Sequence, residues 1–85
     1  MPEYPNRTTP QEAPLLDLLT ERQIEVMKLV SQGFTNSQIA ERLHVCKRTI
    51  DFHVQGVFTS LRKAGYPQAT NRVATLNILR EAGVI

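Results

Sequence analysis

Between residues 47 and 63 the chain carries Lys47, Arg48, Thr49, Asp51, Phe52, Gln55, Thr59, Arg62 and Lys63 at spacings that place them on, or beside, one outward side of a helix. Their chemistry is that of recognition. Lys and Arg hold anionic oxygens. The Arg48 fork matches O6 and N7 of guanine, the Gln55 carboxamide matches adenine, Asp51 can accept from the amino group of cytosine, and Phe52 offers an apolar surface to a thymine methyl. A helix beginning at Lys47 would add the positive end of its dipole, which favours phosphate. The plainer alternatives are a partly buried surface aromatic for Phe52 and a structural hydrogen bond for His53 at the edge of the packed seam.

Charge is distributed unevenly. The formal net charge of the chain is only +2. Residues 1–18 hold Arg7 against Glu3, Glu12 and Asp17, and residues 19–43 are balanced, whereas Lys47, Arg48, Arg62, Lys63 and Arg72 face Asp51 alone over residues 44–72. A base-rich middle suits a polyanion, and nucleic acid is the commonest one; a solvated face is the competing explanation.

Other chemistries find little support. No carboxylate pair, Ser/His/Asp set or Gly-rich phosphate loop is recognisable, so neither an enzyme nor a cofactor is expected. Cys46 with His44 and His53 has no zinc spacing, and one Cys forms no internal disulfide. A thiol at a helix start beside Lys47 and Arg48 could act as a redox switch, but a small packed Cys is the commoner use of this residue. No signal-peptide core or membrane-length apolar run is evident, so the expected location is the cytoplasm, without a membrane partner.

The elements that must position these residues are written three times in one pattern: "LTERQI" from Leu19, "FTNSQI" from Phe34 and "VCKRTI" from Val45. In each, an apolar residue precedes the cap and packs on another at the fourth helical position, as Leu19 with Ile24, Phe34 with Ile39, and Val45 with Ile50. Thr20 with Gln23 and Thr35 with Gln38 form capping boxes; Cys46 is a poor acceptor and forgoes part of the ~1 kcal/mol of a hydroxyl cap. The spacing predicts helices from Glu21 to about Gln32, from Asn36 to Leu43, from Lys47 to about Lys63, and from Asn71 or Arg72 to Ala82. Gly33 and Gly83 serve as stops, and His44 takes a turn position that tolerates positive φ.

The three-residue connection "HVC" makes the second and third helices a helix-turn-helix. Ile50, Val54, Val57 and Leu61 form the seam of the third helix, which turns the recognition residues outward. On the fourth, Val73, Leu76 and Leu79 form one apolar strip and Ala74, Ile78 and Ala82 a second, which could pair two copies of the chain. The expected fold is therefore all-α, a four-helix domain over residues 19–85. Residues 1–18, with four of the five prolines, read as a flexible arm or linker whose last leucines dock on the domain.

"LTERQIEVMKLVSQGFTNSQIAERL" and "RTIDFHV" strongly resemble the DNA-binding domain of LuxR-type bacterial transcription regulators, closely over residues 19–61. The resemblance implies a four-helix bacterial domain that binds double-stranded DNA with its third helix in the major groove and often dimerises through its fourth. It also implies association with the nucleoid. Departures from the family pattern fall at Ser37, Asp51 and Ser60, where Lys is frequent, and at Cys46, where Ser or Thr is frequent. The stretch from Leu61 to Asn71 is about six residues longer than is usual. Sigma-factor promoter-reading regions share "ERQ", but "NSQIA" and "TIDFH" fit the LuxR type better. The expected function is a sequence-specific DNA-binding transcription regulator. The alternative is a protein-binding module of the same fold that acts on a partner regulator.

Overall fold

A computed structural model describes residues 18–85, in which four helices follow one another: α1, Glu21–Ser31; α2, Asn36–Leu43; α3, Lys47–Lys63; and α4, Arg72–Glu81. The arm expected over residues 1–18 lies outside the described residues except for Leu18, which is exposed, while Leu19 enters the core.

Local chemistry sets the helix starts. The Thr20 hydroxyl accepts from the Gln23 amide at 3.1 Å, and the Gln23 carboxamide accepts from the Thr20 amide at 3.0 Å. Thr35 and Gln38 repeat the exchange at 3.2 and 2.9 Å. Each box satisfies donors that a helix start leaves orphaned. Cys46 makes no such bond to α3, as its weak acceptor predicts, whereas the Asn71 side chain accepts from the Ala74 amide at 2.9 Å to open α4. His44 takes the left-handed conformation (φ 60°, ψ 45°) and turns α2 into α3. α1 and α4 each end one residue earlier than the spacing predicts, with Gln32 and Ala82 as the capping residues.

The core lies where α1, α2 and α3 converge, and Val26, Met27, Ile39, Ile50, Val57 and Leu61 within it are fully buried. The predicted α3 seam is buried throughout, and Phe58, outside that seam, is buried as well. The long link is tied down. Tyr66 donates its amide to the Leu61 carbonyl at 3.0 Å, Ala69 is fully buried, and the Arg62 guanidinium donates to the Ala69 carbonyl at 3.0 Å.

α4 departs from expectation. The pairing strip of Ala74, Ile78 and Ala82 is not presented outward: Ile78 is in the core, and Ala74 and Ala82 are half-buried. The domain buries a stripe that runs between the two predicted strips, through Thr75, Ile78 and Leu79. This leaves Val73, expected to pack, 69% exposed. Two apolar strips on one helix allow several roll angles, and the one adopted commits Ile78 and Leu79 to the core.

Candidate nucleic-acid interface

α3 divides along its length. Ile50, Val54, Val57, Phe58 and Leu61 face the core, while Arg48, Phe52, Gln55 and Thr59 form an exposed row on the other side. Phe52 is 75% exposed, far outside the range of a packed aromatic, so the plainer alternative for this ring does not hold. Its ring lies 6.3 Å from that of the half-buried His53, in a tilted pair. Lys47 is exposed and Thr49 half-buried at the helix start, and Arg62 and Lys63 are exposed at its end.

Three members of the expected set, Arg62, Asp51 and Lys47, are engaged within the domain. Arg62 binds the link carbonyl described above. Asp51, expected to present a free acceptor, instead accepts from the Asn36 carboxamide at 2.6 Å on one oxygen and from the Lys47 ammonium at 3.3 Å on the other. The oxygen of the same Asn36 carboxamide in turn accepts from the Arg72 guanidinium. The Asn36 hydrogen bond, and after it that from Lys47, hold the Asp51 carboxyl below its ordinary value of 3.8, against a smaller opposing effect of desolvation.

Asn36 and Arg72 belong to this site but carry no recognition motif. Asn36 reads in the sequence as the first residue of a short helix, and Arg72 as one charge among five. Together they line a surface groove of about 490 Å³ with Asp51, Gln55, Phe58 and Asn71 beside the exposed row. The Arg42 guanidinium of α2 lies over the Phe34 ring of the α1–α2 turn, 4.6 Å from its centroid. Among the described residues no group of three His, Cys, Asp or Glu side chains is placed to hold a metal ion, and no helix is long and apolar enough to cross a membrane.

The sequence pattern of the luxR family of bacterial regulatory proteins matches residues 17–73, which contain α1, α2 and α3 and only Arg72 and Val73 of α4. The response regulator protein VraR of Staphylococcus saprophyticus is 34% identical over 59 residues, covering 69% of this chain and 28% of VraR. The HTH-type transcriptional regulator AlkS of Alcanivorax borkumensis is 36% identical over 67 residues, covering 79% of this chain and 7% of AlkS. AlkS of Ectopseudomonas oleovorans is 42% identical over 53 residues, covering 62% of this chain and 6% of that protein. The chain thus spans less than a third of the length of these relatives. No solved structure matches it. With the pattern spanning more than half of the chain and the helix-turn-helix in place, the chain belongs to the luxR family of bacterial regulatory proteins and carries its DNA-binding helix-turn-helix domain.

Proposed function

We propose that this domain reads double-stranded DNA in a sequence-specific manner as part of a bacterial transcription regulator, with α3 in the major groove. The observation that carries this is the division of α3: one side locked in the core, the other presenting Arg48, Phe52 and Gln55 with no covering element among the described residues. Arg48 and Gln55 read base edges, Phe52 meets thymine methyls, and Lys47, Thr49, Thr59 and Lys63 hold phosphates, joined by Arg62 where the link permits. The relatives named as a response regulator and as transcriptional regulators support the regulatory role. The domain works in the cytoplasm, at the nucleoid when bound. A second copy on the same duplex would pair through the outer row of α4, where Val73, Asn77 and Arg80 are exposed, since Ile78 is committed to the core.

A second reading has one observation in its favour. An exposed Phe52 beside an acid engaged by its neighbours also suits a protein partner, such as another regulator. Salt separates the two. A groove binder loses affinity with a log–log slope of about −0.9 per phosphate contact, whereas an apolar protein interface changes little. Selection from a random duplex pool, followed by titration of the recovered sequence at several salt concentrations, tests the DNA reading. Recovery of no sequence and absence of binding in dilute buffer would refute it.

A further inference from the structure

Asn36, Lys47 and Arg72 are the first residues of α2, α3 and α4; Asn36 and Lys47 donate to Asp51, and Arg72 donates to the side-chain oxygen of Asn36. Helix starts carry partial positive charge, and two of these residues are full cations, so the place they enclose attracts an anionic oxygen. In the free domain Asp51 supplies that oxygen. Its side chain is 46% exposed and that of Lys47 59%, so both remain in contact with solvent at the edge of the α3 reading face. The fourth helix, reached through the long link, contributes Arg72 to the same place.

We infer that Asp51 is an internal competitor for DNA phosphate: by engaging Lys47 directly, and Arg72 through Asn36, it lowers the affinity of the domain for duplexes of arbitrary sequence. This rests on the reading that α3 enters DNA. A phosphate approaching the three helix starts meets an anion already in position and must displace it from Lys47 or bind against its charge. The carboxylate thus opposes the sequence-independent part of binding, and base contacts must supply a larger share of the total. Asp51 is in this sense a specificity-determining residue that contacts no base.

The test compares wild type with Asp51→Asn, Lys47→Met and the double variant, titrated by fluorescence anisotropy against a mixed-sequence duplex at several salt concentrations. The Asp51→Asn change keeps the size of the side chain and an oxygen to accept from Asn36. We expect this variant to bind on the order of five-fold more tightly in dilute buffer, with a log–log slope steeper by about 0.9 for each further phosphate held. Lys47→Met should cost more affinity in the Asp51→Asn background than in wild type. Thermal melting of each variant separates this from a purely structural role, which would lower the melting temperature and leave the slope unchanged. If wild type binds with a salt-dependent affinity and Asp51→Asn binds no more tightly with the same slope, the competitor role is overturned. If neither protein binds any duplex, the DNA reading falls with it.

Discussion

The carboxamide nitrogen of Gln23 lies 2.7 Å from the position that a β-carbon on Gly56 would occupy. Gln23 is the reciprocal partner in the Thr20 capping box, so the start of α1 is seated against the middle of α3 through a gap that only glycine leaves open. A mid-helix glycine costs up to about 1 kcal/mol against alanine, and here it admits a neighbour. Gly56→Ala alone should therefore gain less than the full propensity difference, because the Gln23 carboxamide must shift from its place in the box. In a Gln23→Ala background the same change should stabilise by about 1 kcal/mol. Urea unfolding of the four proteins reads this coupling, and equal gains in both backgrounds would show that the contact is immaterial.

Thr75 is fully buried, and its hydroxyl has no hydrogen-bond partner among the described residues. Thr75→Val keeps the shape and removes the unsatisfied group. It should raise stability by about 1 kcal/mol, seen as a higher melting temperature. A lower one would mean that the hydroxyl is bonded in solution.

The Asp51 carboxyl titrates below its ordinary value in the folded domain, with Asn36 and then Lys47 as the main causes. A depressed folded pKa contributes stability above 3.8, and that contribution is lost as the pH falls through the folded value. Wild type should thus lose stability relative to Asp51→Asn as the pH drops from about 5 to about 2. Parallel profiles for the two proteins, measured by chemical unfolding, would remove Asp51 as a source of the acid sensitivity.

Arg48 is exposed and makes no hydrogen bond or salt bridge among the described residues, so Arg48→Ala should leave the melting temperature unchanged. On the selected DNA sequence it should cost about 1–3 kcal/mol and relax preference at one base position. An unaltered affinity and preference would take Arg48 off the reading face.

Cys46 occupies an extended N-cap (φ −78°, ψ 154°) but makes no side-chain bond to α3. Cys46→Ser supplies a hydroxyl in a backbone already shaped for it and should stabilise by about 0.5–1 kcal/mol. No change on chemical denaturation would show that the α3 start is capped in another way.

The four helices from Glu21 to Glu81 and most of their boundaries, the two capping boxes, the left-handed His44 and the outward position of Arg48, Phe52 and Gln55 were legible in the residues. Each depends on neighbours within about one helical turn or on the 3.6-residue period of a single seam. What the sequence left open involves residues far apart in the chain. The roll of α4, which takes Ile78 inward and leaves Val73 outside, follows from packing that two weak apolar strips could not choose between. The capture of Asp51 by Asn36, and of Asn36 by Arg72 36 residues away, needs three helix starts to meet, and no local pattern encodes that meeting. Local hydrogen bonding and periodicity therefore determined which helices form and which face of α3 is free. Only the tertiary arrangement decided that Asp51 is also held by Asn36, and Asn36 by Arg72.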